Sequence, residues 1–141
     1  MDKSQLLEIT GNSEMLRFLG VAIEEAEPER VVLAMEVTPK VHQYIGIMNG
    51  GISLFLCETA ASIGAVLNAD LTKVSPVGVE INANHLRAVS RGMIRIEAKP
   101  VYLGKTMAVW SIEITNDRGK VICVSRCTLL LKAGRAVARE P

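Results

Sequence analysis

The period of the hydrophobic pattern changes three times along the chain. Over residues 3–19 apolar side chains recur at roughly helical spacing, and Leu6, Leu7, Met15, Leu16 and Leu19 are placed to pack on a body. Gly11 and Asn12 break this region into two short pieces. From Gly20 the period becomes two. GVAIEEAEPERVVLAMEVTP predicts strands over Val21–Glu25 and Arg30–Val37, joined as a hairpin by the polar turn AEPE. In the second strand Val31, Leu33, Met35 and Val37 alternate with Val32, Ala34, Glu36 and Thr38, the mark of a half-buried strand. A loop follows, from Pro39 to about Asn49.

Gly51–Asn68 has no proline, and Ile52, Leu54, Phe55, Leu56, Ala60, Ile63, Val66 and Leu67 cover every face of a helix. Such a helix is a buried one. Val77–His85, Met93–Leu103, Met107–Thr115 and Val121–Lys132 are strand candidates rich in Val, Ile and Thr. The breaks SRG, LGK and NDRG between them suit antiparallel neighbours. The tail AGRAVAREP has little to bury and is expected to be mobile. The order predicts an α+β fold in which one antiparallel sheet wraps around one long central helix. With no repeat or linker, residues 1–141 read as a single domain. Open edges and an uncovered sheet face imply an oligomer.

Composition narrows the function. The chain has 141 residues, 49% hydrophobic and only 4% aromatic, so aliphatic side chains must fill the core. Sixteen basic and 15 acidic residues leave a net charge of +1, which gives no support to a nucleic-acid surface. Cys57, Cys123 and Cys127 are odd in number, and two of them lie in apolar runs, which suggests reduced thiols in a cytoplasmic protein. MDKSQLLEIT has no signal-type apolar run, and no uninterrupted apolar stretch of about 20 residues predicts a membrane span.

Three groups of residues are candidates for chemistry. Glu58 and Ser62 are four apart and share a helix face. A carboxylate in a partly apolar cleft suits a general base or nucleophile, whereas a structural ion pair or an exposed face would serve no chemistry. Asn49, Gly50 and Gly51 form a capped helix start, and free amides there can hold a developing oxyanion, or simply begin the helix. In GVEINANHLRAV, Val79, Ile81 and Ala83 form one strand face that His85 and Arg87 continue, either into a cleft mouth or out to solvent. With Lys105 these residues can meet phosphates. His42 and His85 have no metal-ligand spacing, and no GxSxG, P-loop or GxGxxG occurs.

The stretch QYIGIMNGGISLFLCETAAS resembles the signature of hotdog-fold acyl-CoA thioesterases: Gln-x-x-Gly-x-x-His-Gly-Gly, then a helix with Glu-(Thr/Ser)-x-x-Ser. The EINANHLR, LGK, VWSIEI and SRCT segments fall in family order, and the likeness spans about Val31 to Leu131. They are similar to the branch acting on 4-hydroxybenzoyl-CoA, 1,4-dihydroxy-2-naphthoyl-CoA, phenylacetate-pathway thioesters and misloaded carrier proteins.

The resemblance implies a hotdog-fold thioesterase cleaving an aryl or medium-chain acyl thioester. Glu58 would be nucleophile or base, and Gly50 the amide on the thioester carbonyl. Gln43 would lie near that carbonyl, and Ser62 would position water or Glu58. It implies a site shared across a homodimer, with Glu58 and Ser62 facing Gln43 and Gly50 of the partner, and dimers paired into a homotetramer. It places coenzyme A along Gly78, along His85, Leu86, Arg87 and Ala88, and along Tyr102, Leu103, Gly104, Lys105, Thr106 and Met107. No cofactor or metal is implied, since coenzyme A is part of the substrate. Two departures stand out: Asn49 occupies the place of the family's histidine, and Tyr102 that of a basic residue. A non-catalytic acyl-CoA-binding protein and a hotdog dehydratase are the alternatives. Glu58 with Ser62, and the lack of a histidine at the helix start, favour the thioesterase.

Overall fold

The computed structural model describes residues 3–134. The elements run α1 (Lys3–Gly11), α2 (Glu14–Leu19), β1 (Ala22–Glu27), β2 (Arg30–Val37), α3 (Gly50–Asn68), β3 (Val74–His85), β4 (Gly92–Leu103), β5 (Met107–Asn116) and β6 (Val121–Ala133). The six strands form one antiparallel sheet in the order β1-β2-β4-β5-β6-β3, and α3 packs against all six. This is the sheet-wrapped helix expected from the pattern. α3 has the length and mean hydropathy, 1.6, to cross a membrane. Here that apolarity is spent on the sheet.

One expected pairing is wrong. LGK and NDRG do join neighbours, β4–β5 and β5–β6. SRG does not: β3 pairs with β6, and β4 with β2. The chain crosses from one edge of the sheet to its interior between His85 and Gly92. A short turn motif shows that the chain bends, not which strand it bends toward.

The half-buried reading of β2 also needs correcting. Val32 and Ala34 on its outer face are as buried as Val31, Leu33 and Met35. Ion pairs crossing the strand cover them. Arg95 on β4 donates to Glu24 beside β2 at 2.8 Å, and Arg30 binds both Glu25 and Glu97. Side chains of neighbouring strands thus supply the cover that a second layer would otherwise give.

α3 is not buried all round. Ser53, Leu56, Cys57, Ala60, Ala61, Ile63, Gly64 and Ala65 are buried, while Phe55, Glu58, Thr59, Ser62 and Val66 are only half-buried. The sheet encloses most of the helix and leaves one stripe uncovered. Asn49 starts the helix one residue earlier than expected, its Oδ1 accepting the Gly51 N–H at 2.8 Å. At the other end Asn68 donates to the Gly64 and Pro28 carbonyls, tying the helix to the β1–β2 turn.

In α2, Leu16 and Leu19 are buried as expected, but Met15 is 52% exposed. The Leu6 and Leu7 side chains lie outside the described residues. Of the tail expected to be mobile, Ala133 closes β6 and the Gly134 N–H donates to the Lys73 carbonyl. Residues 135–141 lie outside the described residues.

Candidate active site

The loop before α3 is set by its own backbone. The Gln43 N–H donates to the Ile47 carbonyl at 2.8 Å, and the Gly46 N–H to the Gln43 carbonyl at 2.9 Å. Gly46 has a φ of 80°, which a side chain would strain. The Met48 N–H reaches the Val89 carbonyl, the Asn49 N–H the Val41 carbonyl, and His42 Nε2 the Ser90 carbonyl. Gln43 and the first turn of α3 are therefore held in a fixed relation to the segment that follows β3.

They meet in a cleft of about 300 Å³ lined by Gln43, Met48, Gly50, Ser53, His85 and Arg87 among others. Asn49 satisfies the Gly51 amide through its side chain and the Ile52 amide through its carbonyl. The Gly50 N–H, at the positive end of the helix, is left with no acceptor among the described residues. It is free to polarise a carbonyl. Leu86, Arg87 and Ala88 form the cleft's rim. Arg91 and Arg118 flank Ala88 at the outer end and extend the basic rim; the sequence pattern did not single them out. Ser53, 2% exposed, was missed as well, although three residues past Gly50 is one helical turn.

Glu58 and Ser62 lie elsewhere. They line a chamber of about 500 Å³ with Phe55, Thr59, Ile63 and Val66 of α3, and its far wall is Thr10, Ser13, Met15 and Leu16. Sequence reading gave α1 and α2 a packing role only. Gly78 does not line the chamber, but the inner face of β3 brings it against the Glu58 carboxylate. A bulge makes this possible. Gly78 pairs with Leu129 and Glu80 with Thr128, so Val79 is pushed out and Gly78 takes the inward face ahead of Ile81 and Ala83. The expected Val79-Ile81-Ala83 face is thus wrong at Val79, which is 59% exposed.

The structure does not bring the two sets together within one chain. Gly50 and Glu58 are eight residues apart on α3, about 12 Å along the axis. Tyr102–Met107 span the end of β4, the turn and the start of β5, and line neither cavity. In that turn the Tyr102 ring covers Gly104, whose N–H donates to the Met107 carbonyl.

The thiols are core groups. Cys57, Cys123 and Cys127 are free and buried. The hydrogen bond to Cys123, together with burial, raises the Cys57 pKa. Burial, with the charges of Glu58 and Glu80, pushes Cys127 up to about 11. A thiol held protonated is a poor nucleophile. Among the described residues no group of three His, Cys, Asp or Glu is placed to hold a metal ion.

A single long helix enclosed by a six-stranded antiparallel sheet is the hotdog fold. The Thioesterase superfamily model matches residues 45–123, and the chain belongs to that family. It is 41% identical over 117 residues to a 1,4-dihydroxy-2-naphthoyl-CoA hydrolase of Listeria monocytogenes, covering 83% of this chain and 94% of the relative. To the Escherichia coli protein of the same description it is 34% identical over 124 residues, covering 88% and 90%. The crystal structure of a thioesterase from Haemophilus influenzae superposes with a TM-score of 0.86 at 32% identity, covering 99% of this chain and 96% of that one. The protein is a thioester hydrolase.

Proposed function

We propose that this enzyme hydrolyses aryl or medium-chain acyl thioesters of coenzyme A in a site shared by two copies of the chain. The observation that carries the reading is the partition of the candidate residues. The carbonyl-binding set, Gln43 and Gly50, lies in one cleft, and the carboxylate set, Glu58 and Ser62, in another. One thioester can meet both only if two chains face each other. β3 offers the surface: it is an open edge, with Val77 40% and Val79 59% exposed.

In that arrangement the Gly50 N–H of one protomer, with Gln43 nearby, polarises the thioester carbonyl. Glu58 of the other attacks the carbonyl carbon directly or takes a proton from the water that does, and Ser62 positions it. The carbonyl π electrons move onto oxygen. As they return, the C–S bond breaks and the sulfur leaves as a thiolate, which takes up one proton. With water consumed, the products are the free acid and coenzyme A. Asn49 holds the helix start in place. Arg87 and its neighbours Leu86 and Ala88 form the rim suited to the nucleotide, with the Tyr102–Met107 turn and Lys105 supplied from elsewhere in the assembly. Such hydrolysis asks for no cofactor or metal.

The acyl class follows from the chamber. Its walls beside Glu58 are Phe55, Ile63, Val66, Leu16 and Met15, so an apolar ring or short chain fits there. The two hydrolases named above act, by their descriptions, on an aryl-CoA. Exposed Met107, Leu130 and Val77, cross-strand neighbours on the sheet, suit the pairing of dimers into a tetramer. Three buried free thiols suit a cytoplasmic location.

The test is thiol release from a panel of acyl-CoAs, benzoyl to decanoyl, by wild type and Glu58→Ala. The reading expects turnover that falls by about 10²–10⁴ in the variant. Binding without turnover in wild type would sink it.

A further inference from the structure

The space that Gly50 leaves empty is bordered by an imidazole. A Cβ built on Gly50 would stand 2.7 Å from Nε2 of His85 and 3.0 Å from its Cε1. His85 is the last residue of β3 and pairs with Cys123, on the same inward face as Ile81 and Ala83. Its ring is therefore aimed at the first turn of α3 from the opposite wall of the cleft. Of the two histidines, His42 uses Nε2 on the Ser90 carbonyl at 2.8 Å. No hydrogen bond among the described residues occupies the His85 ring.

Two neighbours sharpen the assignment. The Asn49 side-chain oxygen is already engaged by the Gly51 N–H, so its part in the cleft is to fix the helix start. Arg87, two residues past His85, lies on the rim with Nη1 at 3.2 Å from the Val121 carbonyl. Arg87 is thus held at the rim of the cleft, and His85 beside Gly50.

We infer that His85 is a catalytic residue whose Nε2–H donates a second hydrogen bond to the thioester carbonyl oxygen, beside the Gly50 N–H. This rests on the thioesterase reading and moves His85 from coenzyme anchoring to the reacting carbonyl. A carbonyl oxygen held by the Gly50 N–H would lie beside this ring, whose Nε2 is the atom nearest to a Cβ built at Gly50. Either the neutral Nε2–H tautomer or the imidazolium can donate there. No proton changes hands. The bond shortens as negative charge gathers on the oxygen and relaxes when the thiolate leaves, so it acts on the transition state. A side chain at position 50 would strike the ring and displace it.

The experiment compares two thioesters of one acyl group: acyl-CoA, and acyl-pantetheine, which keeps the thiol arm but lacks the nucleotide. Wild type, His85→Ala, His85→Gln and Arg87→Ala are assayed on both, with circular dichroism and thermal melts to confirm folding. The expected result is a loss of kcat in His85→Ala on the order of a hundredfold, equal on both substrates. His85→Gln, which keeps a donor, recovers part of it. Arg87→Ala raises KM for acyl-CoA more than for acyl-pantetheine. A His85→Ala loss confined to acyl-CoA makes His85 a nucleotide anchor and overturns the assignment, as does an unchanged kcat. Should His85→Ala fail to fold, His85→Phe, which fills the same space without a donor, takes its place, and an unchanged kcat there overturns the assignment as well. A wild type that cleaves neither thioester removes the function itself.

Discussion

Gly78 on β3 lies directly against the Glu58 carboxylate of α3, and a Cβ at position 78 would overlap Oε1. The bulge at Val79 sets this contact by turning Gly78 inward opposite Leu129. The carboxylate thus rests on backbone, which cannot move aside as a flexible side chain would. Gly78→Ala is expected to swing Glu58 off its position and cut kcat about a hundredfold, the cost of a displacement near 1 Å in an oriented group. Steady-state kinetics alongside a thermal melt will check this. A variant with wild-type kcat would mean that Glu58 acts from another rotamer.

The separation of Gln43 and Gly50 from Glu58 and Ser62 makes a second prediction. Gln43→Ala and Glu58→Ala homodimers each have two damaged sites. In a mixed dimer one site takes both defects and the other takes none. Co-refolded or co-expressed in equal amounts, the two variants should give about a quarter of the wild-type sites, since half the dimers are mixed and half their sites intact. A site formed within one chain would show no recovery on mixing.

The elements were legible because their patterns were long. α3 has nineteen residues without proline, and β2 runs from Arg30 to Val37 as expected. Pairing was not legible: SRG between β3 and β4 looks like any short turn, yet the strands it joins lie apart in the sheet. The bulge that exchanges Val79 for Gly78 leaves no mark in an alternating pattern. Burial of Val32 and Ala34 depends on Arg30, Glu25, Glu97, Arg95 and Glu24, which meet only once the strands are aligned. Of the candidate site, Glu58 with Ser62 and Asn49 with Gly50 could be read from spacing. The apolar chamber could not, because its far wall comes from α1 and α2, more than 35 residues before Phe55.

Asn49 is a measurable cap. Its Oδ1 holds the Gly51 N–H at 2.8 Å. Asn49→Ala is expected to cost about 1 kcal/mol of stability, and Asn49→Asp or Asn49→Ser much less. Urea unfolding will separate them. Equal midpoints for Ala and Ser would show that the cap contributes nothing and that Asn49 is kept for another reason.

Gly64 meets the largest buried side chain. A Cβ there would run into the Trp110 ring, which is fully buried. Alanine favours a helix over glycine by about 1 kcal/mol. Overpacking a rigid core site costs typically 1–3 kcal/mol. Gly64→Ala is therefore expected to destabilise, with Trp110 fluorescence shifting as the ring is displaced. A stabilised variant would show that the indole has room to move.

Acid should loosen the β1–β2–β4 side of the sheet first. Glu97 on β4 accepts from Arg30 at 2.6 and 2.8 Å, and Arg30 also binds Glu25 on β1. Lys99 and Arg30 hold the Glu97 carboxyl below the ordinary 4.5 of glutamate. The folded state therefore holds this proton more weakly than the unfolded chain, and stability rises with pH across the interval. The contribution is complete above the unfolded value and disappears as the pH falls through the lower, folded one. For a pair this near the surface it is about 1 kcal/mol or less. Glu97→Gln should lower stability at neutral pH by that amount, and the difference should close as the pH falls through the folded value and the wild-type carboxyl is protonated as well. Chemical denaturation of both proteins across that range measures the difference. A gap that persists at low pH would assign the loss to packing over Val32 instead of charge.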